Sequence, residues 1–274
     1  MSALDTSVDD RRAGHVSTRA VVASYVVAFI AAELLTAFVA PAAGAATDVA
    51  IAVFAIHHHG ALRTPSGSDV GGRPSLSAFL LCLPVLCVAR IAPFALPVAG
   101  VPAAWPALVA VPIVVGVEAV RRVREPGLWH RSWFSLRAWP QEVLVVEVAL
   151  TSVLLSMLAF GTTRPAPLVR GSDPVILGVA AASLLVLGAV EELLYRGLIQ
   201  TSLRGVAGRW SVVITALLAA AAALGDRSWT ALLAVGVISL VFGVWFDRTD
   251  RLVGVALAHG MLLIAVFLIW PRLL

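Results

Sequence analysis

Long apolar runs, separated by short polar loops, follow one another along almost the whole chain. Each run is close to the ~20 residues that an α-helix needs to cross ~30 Å of hydrocarbon. The pattern predicts an all-α fold, a polytopic helical membrane protein with about eight or nine transmembrane helices, because the second and seventh runs are short. The predicted spans are residues 20–40, 44–60, 76–97, 104–120, 141–161, 174–198, 210–224, 229–246 and 252–270.

Composition supports a membrane protein and excludes a water-soluble one. Only 13% of the 274 residues are charged, against about 25% in soluble domains. All twenty basic residues are arginine. With the N-terminus in the cytoplasm, fourteen of them fall in cytoplasmic loops and four in outside loops, which is the positive-inside pattern. We interpret them as topology signals and contacts to membrane lipid. They form no basic face with interleaved aromatic residues, so no nucleic-acid partner is predicted.

The absence of lysine, together with abundant alanine and valine, is typical of a high-GC bacterial genome. We therefore expect a multi-pass protein of the bacterial cytoplasmic (plasma) membrane. The first apolar run is longer than the roughly 7–15 apolar residues of a signal peptide, so a span is favoured over a cleaved leader. Cys82 and Cys87 match no metal or disulfide spacing and are interpreted as small core residues.

The chain divides into four regions. Residues 1–19 are polar and are expected to form a disordered cytoplasmic N-terminus, and residues 20–120 hold the N-terminal transmembrane helices. Residues 121–140 form a basic loop with Trp133 and other aromatic residues, which predicts an interfacial helix on the cytoplasmic leaflet. Residues 141–274 are expected to form the transmembrane core that carries the chemistry.

Charged residues inside a span cost at least about 2.5–3.5 kcal/mol each, so they need partners, water or a task. Glu33 and Arg90 lie at equal depth from the cytoplasmic ends of their helices. A structural ion pair is therefore the favoured interpretation, and a proton or ion path through the first helices is the alternative. Glu142 lies near the cytoplasmic end of the fifth span and is expected to reach the interface.

Three consecutive histidines, His57 to His59, end the second span. Neighbouring helix positions are about 100° apart, so three of them cannot face one ion. No cysteine or carboxylate accompanies them at ligand spacing. Solvated interfacial histidines are therefore favoured over a metal site.

The sixth span contains Glu191, Glu192 and Arg196. Glu192 precedes Arg196 by four positions, which is the favourable order for an ion pair on one helix face. Glu191 is rotated by about 100° from Glu192 and is left free to act as a general base on water. A buried ion-pair network that only holds helices together is the alternative.

A histidine in the last span adds to this pattern. His259 lies between Ala258 and Gly260, whose small side chains allow close helix approach. Counted from the nearest cytoplasmic loops, Glu191 and His259 lie at broadly similar depths. A histidine and a free carboxylate at compatible depth predict a shared polar cavity.

At this point the residues resemble a known family, the CPBP intramembrane proteases, which include CAAX proteases and bacteriocin-processing (Abi-type) enzymes. The resemblance covers residues 175–270. It rests on the stretch Glu-Glu-Leu-Leu-Tyr-Arg-Gly-Leu, which begins at Glu191, and on the spacing from Phe242-Gly243 to His259.

The resemblance implies a helical membrane core whose motif residues converge on a water-accessible cavity. It implies that Glu191 activates water for peptide-bond hydrolysis and that His259 stabilises the oxyanion. Glu192 and Arg196 are then the structural support of this site.

Two motifs depart from the family pattern. Where the second motif has an aromatic residue and a histidine, this chain has Ala219 and Ala223, and Leu263 replaces the asparagine of the third motif. The general base is kept, while one water ligand and one oxyanion donor are missing. The loss of an oxyanion donor typically costs about 10²–10³ in rate.

Two functions are therefore carried forward. The first is an intramembrane endopeptidase that hydrolyses a membrane-associated peptide or protein, and the second is a catalytically inactive relative that binds a membrane partner or acts as a scaffold. A transporter is disfavoured, because no inverted repeat or paired broken helix is present. No cofactor is predicted. Catalytic zinc takes about three protein ligands, and the sequence offers only Glu191 and His259. The sequence leaves open a divalent metal, the identity of the substrate and any prenyl group on it.

Overall fold

The computed structural model describes residues 17–62, 73–95, 103, 105–123, 131–135, 139–159, 168–169, 171, 173–226 and 229–273. Within these residues the fold is all-α, as predicted, and nine helices coincide with the nine apolar runs. They are α1 (Thr18–Phe38), α2 (Pro41–Leu62), α3 (Arg73–Ala95), α4 (Trp105–Val123), α5 (Trp139–Ala159), α6 (Pro174–Ala207), α7 (Trp210–Ala222), α8 (Trp229–Thr249) and α9 (Val253–Leu273).

Four of the described helices, α1, α6, α8 and α9, are long and apolar enough to cross a membrane. The apolar stretches of α3 (Leu76–Ile91) and of α7 are shorter. Large apolar side chains such as Val27, Val115 and Leu233 are exposed, an arrangement that suits lipid rather than water. The protein is therefore a helical membrane protein, and the number of spans stays a prediction.

The start and the middle of α6 follow from its sequence. Asp173 accepts a hydrogen bond from the backbone N–H of Val175 at 2.8 Å, and Pro174 at the first position has no N–H to satisfy. Directly after Glu192 the helix widens into a π-helical segment, Leu193–Gln200. π-helical turns are frequent at functional sites, so the irregularity marks the part of α6 that holds the charges.

One large buried apolar cluster joins the N-terminal helices to α6. It contains residues of α1, α2, α3 and α4 together with Leu194 and Leu198 of α6. On the other side, α9 packs against α6 and α5, and α8 packs against α7. Helix α6 therefore contacts both halves of the chain, which places its charges at the centre of the bundle.

The predicted ion pair between α1 and α3 is confirmed. Arg90 donates from Nε to Glu33 Oε1 at 2.6 Å and from Nη2 to Glu33 Oε2 at 2.9 Å. Bidentate geometry is the strong form of an arginine–carboxylate pair, so the two charges neutralise each other inside the bundle. Cys82 and Cys87 are fully buried, as predicted for small core residues.

The three histidines at the end of α2 have different surroundings. His58 Nδ1 lies 2.8 Å from the hydroxyl of Tyr25, and His59 Nδ1 lies 2.8 Å from the hydroxyl of Ser77. His59 is buried, so the prediction of a solvated histidine is wrong for this residue, while His57 is exposed. The two hydrogen bonds tie α2 to α1 and α3, a use of histidine that the run itself does not reveal.

Two residues expected at the membrane surface are buried instead. Glu142 packs inside the bundle, with Oε1 3.8 Å from Arg251 Nη1. Trp133 is fully buried, and its carbonyl accepts a hydrogen bond from the N–H of Leu252 at the start of α9. Both residues are buried for the same reason. The turn between α8 and α9, which is distant in sequence, supplies Arg251 as a partner for Glu142 and Leu252 as a partner for Trp133. Residues 124–130 and 136–138 of the basic loop, and residues 1–16 of the predicted disordered N-terminus, lie outside the described residues.

Candidate active site

Helices α6 and α9 cross with almost no side chain between their backbones. A β-carbon added to Gly188 of α6 would lie 2.5 Å from the backbone nitrogen of Gly260 in α9. A β-carbon added to Gly260 would lie 2.8 Å from the α-carbon of Leu185. Small residues let membrane helices approach this closely. The crossing brings His259 next to the residues that follow Gly188 by one turn.

Glu192 and Arg196 form the predicted ion pair on one face of α6. Arg196 donates from Nε to Glu192 Oε2 at 3.1 Å and from Nη2 to the Ser239 hydroxyl of α8 at 2.6 Å. Both side chains of the pair are buried, at 3% and 1% exposure. One turn further, Gln200 donates to the carbonyl of Gly243 in α8 at 3.0 Å. The pair is therefore part of a polar seam between α6 and α8.

His259 lies between the two carboxylates. Its Nδ1 is 2.8 Å from Glu192 Oε1, and its Nε2 is 3.4 Å from Glu191 Oε2. His259 thus contacts Glu191, as their similar depth predicted, and it also contacts Glu192, which was not predicted. The similar depth of the two residues in the bundle places His259 near Glu191. The close approach of α6 and α9 at Gly188 and Gly260 also orients the ring so that it reaches both carboxylates.

The contacts of the ring restrict where protons can lie. An ionised carboxylate only accepts hydrogen bonds, so the short Nδ1 contact is an Nδ1–H donating to Glu192. A neutral ring would then present the lone pair of Nε2 to the Glu191 carboxylate, which is repulsive. One more proton, on Nε2 of His259 or on Glu191, removes this conflict. Two neighbouring groups that can each hold this proton are what acid–base chemistry requires.

Accessibility divides the site into a buried half and an open half. The side chains of Glu191 and His259 are 29% and 20% exposed, against 3% for Glu192. A water molecule or a substrate can therefore reach Glu191 and the Nε2 edge of His259, whereas Glu192 and Arg196 are covered by protein. All four predicted site residues are brought together, with the two proposed catalytic groups on the open side.

The comparison with protein families agrees with this geometry. A family model described as type II CAAX prenyl endopeptidase Rce1-like matches residues 173–264, the segment that contains all four residues. This segment is similar to that family. The likeness supports a function of the CAAX-type intramembrane protease kind. Searches of the curated proteins and of the solved structures found no match.

Two positions of the CPBP motifs hold apolar residues in the structure as well. Ala219 is buried in α7, and Ala223 begins the 3₁₀ turn that follows this helix. Leu263, one turn beyond His259 in α9, packs against apolar clusters that include residues of α6. None of these side chains has a polar atom to offer to a water molecule or an oxyanion. Glu191 and His259 are therefore the polar groups of the matched segment that face the open side.

The candidate site offers few donors for a metal. In the described ranges, no three His, Cys, Asp or Glu side chains are arranged as metal ligands. His259 Nδ1 is bonded to Glu192, and Glu192 is bonded to Arg196 as well. Glu191 and Nε2 of His259 are the two donors that face the open side, fewer than the about three protein ligands of catalytic zinc.

Sequence reasoning missed two contacts of the candidate site, the bond from His259 to Glu192 and the bond from Arg196 to Ser239. A carboxylate can accept about four hydrogen bonds, so one arginine does not use all the acceptor positions of Glu192. The remaining acceptor positions were a signal for a second partner. No spacing rule connects a serine of α8 to an arginine of α6, so Ser239 could be found only from the structure.

Proposed function

We propose that this protein is an intramembrane endopeptidase that hydrolyses a peptide bond of a membrane-associated peptide or protein, with water activated by Glu191. The observation that supports the proposal most directly is the ring of His259, held by buried Glu192 on one edge and facing accessible Glu191 on the other. A buried carboxylate that orients an imidazole serves the same purpose in hydrolases of unrelated fold.

In the proposed reaction, Glu191 takes a proton from water, and the hydroxide attacks the carbonyl carbon of the peptide bond. The oxyanion that forms accepts a hydrogen bond from Nε2–H of His259, whose Nδ1–H stays bonded to Glu192. The C–N bond then breaks, and Glu191 passes its proton to the leaving amine. Glu192 is a positioning residue in this scheme, and Arg196 holds it in place.

The apolar residues at positions 223 and 263 lower the rate that we expect. One oxyanion donor is worth about 10²–10³ in rate, and a general base is worth about 10²–10⁴. A protease that keeps Glu191 and His259 but lacks one further donor is therefore expected to be slow, and its assay needs long incubations and a matched inactive variant.

A fluorogenic peptide tests the proposal. Because the family description names CAAX prenyl substrates, we choose a quenched peptide that ends in Cys-aliphatic-aliphatic-Xaa, with and without a farnesyl group. Wild-type protein in proteoliposomes should cleave it, and Glu191→Gln should lower the rate at least about 100-fold. Glu147→Gln, which changes an exposed carboxylate of α5, should cleave like wild type. Equal rates for wild type and Glu191→Gln would sink the proposal.

The inactive relative is the second candidate, and the apolar side chains of Ala223 and Leu263 favour it. This candidate predicts that the peptide binds, with saturable fluorescence anisotropy, while no product forms. Product that depends on Glu191 would exclude it. The peptides with and without the farnesyl group then decide whether the partner must be prenylated.

We also propose that the protein lies in the bacterial cytoplasmic membrane with its N-terminus in the cytoplasm, in contact with membrane lipid and with no nucleic-acid partner. The distribution of the arginines supports this orientation. Fusions of green fluorescent protein and of alkaline phosphatase at Asp250, in the turn between α8 and α9, test it. Only the fluorescent fusion should be active there, and an active phosphatase would reverse the orientation of this turn.

A further inference from the structure

Tyr195 is a polar residue of α6 that the proposed peptidase mechanism does not use. It lies in the π-helical segment, four positions after Glu191, so the two side chains leave the same face of the helix. Long helical side chains lean towards the N-terminal end of their helix. The side chain of Tyr195 is therefore directed towards Glu191.

Apolar neighbours hold the ring of Tyr195. The residue is 8% exposed and belongs to the large buried cluster that joins α6 to α1, α2, α3 and α4. Helix α3 packs directly against the π-helical segment that carries Tyr195. A tyrosine side chain has only two χ angles, so this packing fixes the position of the hydroxyl at the end of the ring.

The hydroxyl of Tyr195 makes no hydrogen bond with any residue that the structure describes. By contrast, the hydroxyl of Tyr25, the other tyrosine of the chain, lies 2.8 Å from His58 Nδ1. A buried tyrosine usually pairs its hydroxyl, because an unsatisfied polar group in the interior is costly. The Tyr195 hydroxyl is thus available for a partner that is not part of the fold.

Electrostatics place this hydroxyl beside the candidate active site. Of the charged groups that act on the Tyr195 hydroxyl, Glu191 acts most strongly. Arg90 and Glu33 come next, and the opposite charges of this bidentate pair offset each other. Because the Glu191 side chain is 29% exposed, a substrate that reaches Glu191 also arrives next to Tyr195.

Hydrolysis at Glu191 needs a donor of this kind. The attack of hydroxide on a peptide carbonyl builds negative charge on the carbonyl oxygen, and hydrogen-bond donors aimed at that oxygen stabilise it. Nε2–H of His259 supplies one donor, from α9, while Ala223 and Leu263 supply none. A neutral phenol donates one hydrogen bond, and tyrosine hydroxyls serve in this way in oxyanion holes.

We propose that Tyr195 is a further catalytic residue, whose hydroxyl donates a hydrogen bond to the oxyanion formed at Glu191, beside the bond from Nε2–H of His259. Tyr195 keeps its proton throughout the reaction, so the proton balance between water, Glu191 and the leaving amine is unchanged. The inference rests on the proposed peptidase function, and it supplies a donor that position 263 lacks.

The two tyrosines of the chain form a matched pair for the test. Tyr195→Phe and Tyr25→Phe each remove one hydroxyl and keep the ring. In proteoliposomes with the quenched peptide, Tyr195→Phe should lower kcat about 10²–10³-fold with little change in KM, whereas Tyr25→Phe should cleave like wild type. In thermal unfolding the order reverses. Tyr25→Phe should lower the Tm by roughly 2–4 °C, because it loses a hydrogen bond, and Tyr195→Phe should leave the Tm unchanged.

A tetrahedral analogue makes the test independent of turnover. The probe is a peptide of the same sequence in which a phosphinate replaces the scissile amide, and a donor to the oxyanion should favour this analogue over the intact peptide. Tyr195→Phe should weaken binding of the phosphinate about 10²–10³-fold and leave the Kd of the intact peptide unchanged.

The outcomes separate this inference from the peptidase proposal. Cleavage that needs Glu191 but is equally fast in Tyr195→Phe would overturn the role of Tyr195 and leave the peptidase proposal standing. If wild type cleaves nothing, the peptidase proposal fails, and a selective loss of phosphinate binding in Tyr195→Phe would still support the donor. Equal phosphinate affinity in wild type and Tyr195→Phe, no binding of the phosphinate, or a Tm loss in Tyr195→Phe as large as in Tyr25→Phe would overturn the inference.

Discussion

The Arg196→Met substitution removes the cation beside Glu192 and keeps a side chain of similar length in the seam between α6 and α8. Arg196 is 1% exposed and donates to Glu192 and to Ser239. The substitution therefore leaves a buried carboxylate and a buried hydroxyl without this donor, and it opens no large cavity. Its effect reports the cost of an uncompensated charge rather than the cost of a void.

The expected destabilisation can be worked from these contacts. Removal of one partner of a buried ion pair costs about 3–5 kcal/mol. The hydrogen bond from His259 to Glu192 Oε1 remains and offsets part of this cost, so we expect about 3 kcal/mol. Glu191→Gln should cost about 1 kcal/mol or less, because the Glu191 side chain is 29% exposed and glutamine keeps its shape.

The free energy of unfolding can be measured by titration with sodium dodecyl sulfate in mixed micelles, followed by tryptophan fluorescence. A double variant, Arg196→Met with Glu192→Gln, removes the stranded charge and should recover about 1–2 kcal/mol of the loss. The reasoning is refuted if Arg196→Met and Glu191→Gln unfold at the same detergent fraction. It is also refuted if the double variant is less stable than Arg196→Met alone.

Three further predictions concern other parts of the fold. Gly188→Ala should cost about 1–3 kcal/mol and slow peptide cleavage, because the new β-carbon meets the α9 backbone and displaces His259. Gly178→Ala in the same helix, where a β-carbon meets nothing within 4 Å, is the control in thermal unfolding, and equal losses would contradict the crossing. Glu33→Gln should cost about 1–3 kcal/mol by weakening the bidentate bond from Arg90, while cleavage per folded molecule stays unchanged; a selective loss of cleavage would refute this. A metal chelator such as phenanthroline should leave cleavage unchanged, and activity lost to the chelator and restored by zinc would refute the metal-independent mechanism.

Contacts that depend on position along one helix, or on depth in the membrane, could be predicted from the sequence. Apolar runs of membrane length predicted the nine helices. The four-residue spacing from Glu192 to Arg196 predicted their ion pair, and equal depth predicted the pair of Glu33 and Arg90. In each case one regular geometry, the pitch of a helix or the thickness of a bilayer, fixes the separation of the two charges.

Contacts that depend on how one helix is rotated against another could not be predicted in this way. Depth placed His259 near Glu191, but the bond from His259 to Glu192 also needs the rotation that the glycine crossing imposes on α9. The burial of Trp133 and of His59 has the same origin, because each side chain enters a space formed by helices distant in sequence.

The direct contact of Gly188 with Gly260 limits how this fold can be recombined with its relatives. A chimera that takes α9 from a protein with a larger residue at the position of Gly260 would push that side chain into the backbone of α6 at Leu185. Helix α6 carries the acidic residues and helix α9 carries the histidine, so a mismatch at the crossing separates the two sets of groups. We therefore expect that α6 and α9 can be exchanged between proteins of this fold only as a pair.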